Sequence, residues 1–358
     1  MLNTPDRRHG QALRLFAGCT LVLAVGAGES ASQPAPFGAA GPPSRVTTEA
    51  HGQAPEQYTP QEAEAVAIVE QWIDAWVTYD LVRLVSLMEE DVVFRADPVE
   101  DLQYGRRNFC LIAAAVINGW SGLDLQELYV VGGEQDTSVL IRRVDYFPPG
   151  GRGLAGQAID VATFLRVQNG RITEWLDAPT IPVGPGAMVA QGAPRPEFPV
   201  QPEAVEACSF LDDPAWEPQP NVEAPETAYA TRKPEGVWSE AERDAAQAVR
   251  AWVHAMSTGD PADRAQFMDE DVAWRADPSQ PLQRGRDGFV ETLSNTGDGA
   301  SGRLLELYVV GGDWDTSVLA LRVDDGDAPV AVFFRVQDGL IVEWLDAPAG
   351  PGAAAPGP

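Results

Sequence analysis

The sequence predicts an α+β protein in which one domain is built twice. Three observations carry this expectation. A set of motifs returns after a near-constant interval, each copy places helical patterns before strand patterns, and the strand runs alternate with period two. Arg95-Ala96-Asp97-Pro98 returns as Arg275-Ala276-Asp277-Pro278, and Glu127-Leu128-Tyr129-Val130-Val131-Gly132-Gly133 returns unchanged at 306–312. Asp136-Thr137-Ser138-Val139-Leu140 returns at 315–319, and Glu174-Trp175-Leu176-Asp177-Ala178-Pro179 at 343–348. The interval is 180, then 179, then 169 residues, and the last drop means that the second copy has lost ten residues between its final strands.

The first copy is expected at 59–180 and the second at 237–350. Ala65, Val66, Val69, Trp72, Ile73 and Trp76 recur at helical spacing, and Leu81, Leu84, Val85 and Met88 do so for a second, short helix. Asp91-Val92-Val93-Phe94 reads as a short strand stopped by Asp97-Pro98. A third helix starts near Arg106 and carries Phe109, Ile112, Ala113 and Val116. Four strand runs follow, at 123–131, 137–147, 158–167 and 171–177, with turns at Gly132-Gly133 and Asn169-Gly170. A curved antiparallel sheet that curls over helices leaves a conical cavity walled by every second strand residue.

Outside the copies the composition changes. Arg7, Arg8 and Arg14 precede an apolar run from Leu15 to Gly28, and Val25-Gly26-Ala27 supplies small residues, so 1–27 reads as a signal peptide for a secreted or periplasmic protein. The run is too short to span a bilayer, and no later segment is long and apolar enough, so the mature chain is expected to have no membrane span. Phe16-Ala17-Gly18-Cys19 has the outline of a lipoprotein box, but Thr20-Leu21-Val22-Leu23 continues the apolar run, so lipid anchoring at Cys19 is not expected. Residues 28–58 read as a disordered linker, 181–236 as a Pro-rich, extended linker and 351–358 as a flexible tail. Phe198, Phe210, Trp216 and Tyr229 suggest that parts of the second linker dock on a domain. After export Cys110 and Cys208 would be the remaining cysteines, and nothing in the sequence requires them to pair.

Charge excludes whole classes of partner. The formal net charge is −28, with 25 Lys+Arg against 53 Asp+Glu, which repels phosphate backbones and anionic lipid, so nucleic acid is not an expected partner. Three cysteines and three histidines are too few and too scattered for a metal cluster or a Cys–His nucleophile. No metal and no cofactor is expected, and chemistry must rest on carboxylates and arginines.

Period two places such groups together. In the strand 137–147, Val139, Ile141, Arg143 and Asp145 share a face, as do Val318, Ala320, Arg322 and Asp324 in the second copy. In the last strand Thr173, Trp175 and Asp177 share a face, matched by Val342, Trp344 and Asp346. If the two strands are neighbours, one arginine bridges two carboxyls on an otherwise apolar face. Burial favours the neutral carboxyl and the arginine favours the ionised one, so such a pair can hold one acid and one carboxylate at a single pH. Each would contribute about 10²–10⁴ in rate. Structural ion pairing between strands is the alternative that periodicity alone leaves open.

The Arg143-Val144-Asp145 motif, the distal Asp177 in Gly170-Arg171-Ile172-Thr173-Glu174-Trp175-Leu176-Asp177, and the upstream Tyr104-Gly105-Arg106 resemble limonene-1,2-epoxide hydrolases of the NTF2-like (SnoaL-like) superfamily. The resemblance covers nearly all of each copy. It implies two tandem NTF2-like cone domains, each with three helices packed in a strongly curved mixed sheet, and a one-step opening of an apolar epoxide by water. Carried over, Asp177 would activate the water, Asp145 would protonate the epoxide oxygen and Arg143 would hold both, with Asp346, Asp324 and Arg322 in the second copy. The pocket would be lined by Phe94, Ala96, Asp97, Ile141 and Trp175, and by Trp274, Asp277 and Trp344.

The family also holds its water with a Tyr and an Asn two residues apart on the early strand, where this chain has Phe94 and Ala96, and Trp274 and Ala276. An apolar wall there suits a bulky apolar substrate or attack by a hydroxyl within the substrate. Tandem domains of this kind also resemble polyether epoxide-opening cyclases, whose Asp/Glu pair would correspond to Asp97 with Glu127 and Asp277 with Glu306, although a turn-capping Asp97 and a solvent-facing Glu127 are the simpler reading. A cyclase or isomerase, and a non-catalytic binder of a small hydrophobic ligand, therefore stand beside the hydrolase. The two domains are expected to pair as an intramolecular pseudo-dimer if they associate. His254 is expected on a solvated helix face, and Trp72, Trp76 and Trp252 in the cores.

Overall fold

A computed structural model of the chain describes residues 57–98, 100–117, 122–132, 136–147, 157–180, 202–219, 229–231, 233–256, 260–276, 280–296, 303–312, 315–323 and 329–348. The stretches expected as signal peptide and, up to residue 56, as first linker, the expected tail, Phe198, Asp277, Asp324 and residues 325–328 lie outside the described residues.

The first domain opens with α1 (Pro60–Val77) and α2 (Leu81–Ser86), then β1 (Met88–Arg95), β2 (Gln103–Tyr104) and α3 (Arg106–Ile117). Four strands close it: β3 (Gly122–Gly132), β4 (Thr137–Tyr146), β5 (Ala158–Gln168) and β6 (Arg171–Pro179). Helix α1 begins where Thr59 accepts from the Glu62 N–H at 3.2 Å while the Glu62 carboxylate accepts from the Thr59 N–H at 2.8 Å. Its buried stripe is the expected one, with Val69 and Trp72 fully enclosed. Met88, which fits the helical spacing of Leu81, Leu84 and Val85, instead starts β1: α2 ends at Ser86, and Met88 pairs with Ile172.

The sheet order is β2-β1-β6-β5-β4-β3. Strand β1 runs parallel to β6 while the other pairs are antiparallel, so the sheet is mixed rather than wholly antiparallel. Asn169 and Gly170 close the β5–β6 hairpin with φ of 51° and 70°, as Asp338 and Gly339 do in the second domain with 49° and 76°. A bulge follows: Val167 pairs with Ile172 but Arg166 with Glu174. Ile172 rather than Thr173 therefore joins Trp175 in the core, which corrects the period-two face, and the same bulge displaces Val342 in favour of Ile341.

The connecting segment is ordered where it is described. Its helix α4 (Pro202–Ala207) is tied to α3 by a disulfide between Cys110 and Cys208. Phe210, Trp216 and Tyr229 pack on the first core, and Arg106 lies 5.6 Å over the Trp216 ring. The expectation of an extended linker fails at these residues, because apolar side chains at 204, 208, 210 and 216 find a surface to cover.

The second domain repeats the pattern: α5 (Glu240–Met256), α6 (Pro261–Ala265), β7 (Met268–Arg275), β8 (Gln283–Arg284), α7 (Arg286–Thr296), β9 (Arg303–Gly311), β10 (Thr316–Val323), β11 (Pro329–Gln337) and β12 (Leu340–Pro348). Its sheet has the order β8-β7-β12-β11-β10-β9. The architecture is α+β, with two tandem domains.

Each sheet has two buried faces. Inward residues of β4 and β5 such as Val139, Ile141 and Leu165 join the helices in the first core, while the alternate residues Leu140, Ala162 and Phe164 form a separate cluster with Tyr308, Leu319 and Phe333 of the second sheet. Phe164 stacks on Phe333 at 4.7 Å and Tyr129 on Tyr308 at 5.1 Å, each pair contributing about 0.5–1.5 kcal/mol beyond the area it buries. Reciprocal ion pairs flank the stack. Arg95 donates twice to Glu343, at 2.7 and 3.0 Å, and Arg275 twice to Glu174, at 2.6 and 2.8 Å. Arg166 also bonds Glu174, and Arg335 approaches Glu343 at 3.3 Å. Burial pushes both glutamates up, but the paired arginines outweigh it and hold them below the ordinary carboxylate range. No helix among the described residues is long and apolar enough to cross a membrane.

Candidate active site

Strands β4, β5 and β6 bring the predicted triad of the first domain together. Arg143 and Asp145 stand two apart on β4, so both face the helices, and Asp177 faces them from β6. The two strands are not neighbours: β5 lies between them, and the guanidinium reaches across it. Arg143 Nε and Nη2 lie 2.9 and 3.2 Å from Asp145, and Nη1 and Nη2 lie 2.8 and 2.6 Å from Asp177. Arg143 is 1% exposed, Asp145 4% and Asp177 5%, so the whole pair of acids sits out of bulk water.

The strand between supplies a residue that the sequence did not reveal. Thr163 pairs with Ile141 on one side and Asp177 on the other. Its hydroxyl accepts from Arg143 Nη1 and donates to Asp177 Oδ1 at 2.7 Å. The period-two phase of Val161, Thr163 and Leu165 carries the signal, but only once β5 is known to lie between the other two strands.

Aromatic rings enclose the group. Trp175 Nε1 donates to Asp177 Oδ1 at 2.9 Å, and the Arg143 guanidinium lies 5.5 Å over Trp72. Trp175 stacks on Phe94 at 6.1 Å and meets Phe109 edge-on at 5.5 Å. Phe94, Ile141 and Trp175 are thus buried beside the triad, Ala96 is half-buried against the same core, and Asp97 is buried in the bend after β1. Residues 148–156, which join β4 to β5 beyond Asp145, lie outside the described residues.

Burial pushes Asp145 up against the pull of Arg143, to about 6, with the Asp177 and Asp160 charges adding to the rise. Burial alone would lower the affinity of Arg143 for its proton, but Asp145 and Asp177 more than offset this and raise it, so the guanidinium is a fixed cation. The arrangement sets two buried carboxyls on one guanidinium, with Asp145 the one whose proton affinity burial raises.

The second domain repeats part of it. Arg322 Nη2 lies 2.6 Å from Asp346 Oδ2, both buried, and Trp344 stacks on Trp274 at 6.2 Å. Opposite Asp346 on β11 stands Val332 where the first domain has Thr163, and Trp344 Nε1 has no hydrogen-bond partner among the described residues. A surface groove of about 570 Å³ in this domain lies along α5 and the Asp338-Gly339 turn, at the Thr316 end of β10, away from Arg322.

Other candidates fall elsewhere. Glu127, expected in solvent, is 7% exposed on the outer sheet face, where it accepts from Tyr129 at 2.7 Å and Arg142 at 3.1 Å and meets Lys233 at 3.4 Å. The connecting segment, which pairs Ala230 with Glu127 and brings Lys233 to its carboxylate, is invisible to strand periodicity. His254 is exposed, and Trp72, Trp76 and Trp252 are core residues. Among the described residues no group of His, Cys, Asp and Glu is placed to hold a metal ion.

Three solved structures illustrate the likeness to known proteins. An NTF2-like protein of unknown function from Mesorhizobium loti is 22% identical over 34% of this chain and 96% of its own, with a TM-score of 0.29. An LEH-like epoxide hydrolase from M. tuberculosis is 19% identical over 34% of this chain and 85% of its own, with a TM-score of 0.28. A protein with a ketosteroid isomerase-like fold from Catenulispora acidiphila, in complex with trimethylamine, is 17% identical over 40% of this chain and all of its own, with a TM-score of 0.28. No curated protein matches the chain. The family described as SnoaL-like domain matches twice, at residues 69–175 and 249–344, together more than half of the sequence. With that double match, and with the same helices and mixed sheet in each half, the chain belongs to the SnoaL-like domain family.

Proposed function

We propose that the first domain opens a small apolar epoxide with water by acid–base catalysis and without a cofactor. The observation that carries this is the single guanidinium of Arg143 within hydrogen-bond distance of two buried carboxyls on an aromatic face. In the step, water attacks an epoxide carbon as Asp177 takes its proton. The carbon–oxygen bond breaks and the oxygen takes a proton from Asp145, giving a vicinal diol. Proton exchange with solvent then restores both acids. Asp145, pushed up to about 6, suits the acid role near neutral pH.

Phe94, standing where the family holds a water, favours a second reading. In it the same aromatic face binds a small hydrophobic ligand without turnover, or a hydroxyl of the substrate replaces water, as in a cyclase or isomerase. In the second domain Arg322 and Asp346, with Asp324, would take the corresponding roles. The apolar cluster and reciprocal ion pairs between the sheets support a pseudo-dimer within one chain. The bond between Cys110 and Cys208 supports an exported, oxidised protein with the leader at 1–27.

The test uses the purified full chain with styrene oxide and cyclohexene oxide, and chromatography of the diols. Turnover by the native chain, lost in D145N/D346N and in D177N/D346N with folding intact, is expected. Diol formation that survives both combinations refutes the triad. Thermal stabilisation by the epoxide with no product supports the binder.

A further inference from the structure

The two acids around Arg143 are not held alike. Oδ1 of Asp177 receives Arg143 Nη1 at 2.8 Å, Thr163 Oγ at 2.7 Å and Trp175 Nε1 at 2.9 Å, and Oδ2 receives Arg143 Nη2 at 2.6 Å. Two of these donors cannot reverse. An indole nitrogen only donates, and a guanidinium only donates. The hydroxyl of Thr163 carries one proton and accepts from Arg143, so that proton is directed to Asp177. A proton placed on Asp177 Oδ1 would have to displace one of three donors. The contacts of Asp145 with the clamp are two, both from Arg143, at 2.9 and 3.2 Å.

We propose that Thr163 is a positioning residue that fixes Asp177 as the base, leaves the proton to Asp145, and makes the first domain the working copy. The proposal rests on the acid–base reading above and adds to it the residue that enforces the division between the two acids, and why the copies differ. The hydroxyl acts through Asp177 and touches no reacting atom. It fills Oδ1 and leaves Oδ2 with a lone pair for an incoming water. In the second domain Val332 stands at the matching register position and cannot donate, and the Trp344 indole has no hydrogen-bond partner among the described residues. Threonine and valine are both β-branched and close in shape, so the exchange removes the hydroxyl donor and keeps the branched outline of the side chain. The charged and titratable groups that bear on the pair are Arg143 and Asp145 on β4 and Asp160 on β5.

The test is T163V with T163S as the conservative control, in the full chain, with folding checked by circular dichroism and thermal melting. T163V is expected to lower kcat about tenfold with KM nearly unchanged, since a hydrogen bond to a charged group is removed and not a substrate contact. It should also move the acid limb of the pH–rate profile to higher pH. T163S should restore both. V332T in a chain carrying D145N and D177N should raise any residual turnover of the second domain. A T163V profile superimposable on that of the native chain overturns the proposal. The second readout needs no turnover: in protein labelled with ¹³C at aspartate carboxyls, T163V should bring the two titration steps of the Asp145–Asp177 pair closer together. If the native chain opens no epoxide but those steps still converge, the hydrolase reading fails and the role of Thr163 stands. If they do not move, the role of Thr163 fails whatever the substrate.

Discussion

Replacing Arg143 with Met removes the one charge that both acids share while keeping the length of the side chain. Arg143 makes four contacts with the two carboxylates, between 2.6 and 3.2 Å, at a site where all three residues are at most 5% exposed. Taking one partner from a buried ion pair costs about 3–5 kcal/mol, because the remaining charge is left desolvated. At about 2–4 °C per kcal/mol for a folded unit of this size, the melting temperature should fall by about 6–20 °C. The loss should depend on pH with a definite sign. Without the cation both acids are raised above the ordinary aspartate value near 4, so the stability they permit is full below that value and is lost as pH rises through the raised ones. R143M should therefore be much closer to the native chain at pH 4 than at pH 8. Differential scanning calorimetry at both pH values measures this. In R143M/D145N/D177N, where no charge remains to be stranded, most of the loss should return. A melting curve for R143M that matches the native one at pH 8 would refute the claim that this clamp is buried and paired.

The pH dependence of turnover follows from the same group. Asp145 must carry its proton, so kcat/KM should decline as pH rises through about 6, and a rate that is flat from pH 5 to 8 would remove Asp145 from the acid role. At the sheet–sheet contact, R95A leaves Glu343 with Arg335 as its remaining close cation and should cost about 3 kcal/mol; E343Q tests the same pair from the other side. The Cys110–Cys208 bond closes a loop spanning 98 residues, for which the chain-entropy account gives about 4.7 kcal/mol. C110S/C208S should thus melt markedly lower than the native chain, and reductant should lower the native melting temperature but not that of the variant.

The residues of the clamp were legible because alternation in a strand needs no partner to be read. Arg143 and Asp145 fall two apart, and Asp177 shares its phase with Trp175. Thr163 was not legible, because its part depends on β5 lying between β4 and β6, and strand order is a property of the whole sheet. Met88 extends a helical stripe in sequence, yet the pairing with Ile172 claims it for β1. Thr173 was assigned inward by counting twos, and the bulge beside Val167 breaks the count. Glu127 was placed in water because nothing local announces that Ala230 and Lys233 of the connecting segment lie beside it, nor that the other sheet packs on the outer face of β4. The unbroken apolar run Val139-Leu140-Ile141 is the trace of that cover, since a strand wet on one face would alternate.

One consequence follows from joining both sheets in a single polypeptide. A dimer of identical subunits must place every side chain on both sides of its axis, so a change that helps one side is imposed on the other. Here the halves are free to drift apart. Lys233, the sole lysine in the sequence, wedges between Glu127 and Glu242, and Arg142 beside it has Leu321 as its counterpart. Duplication within one chain turns a symmetry constraint into room for the halves to differ, and Thr163 against Val332 is one such difference.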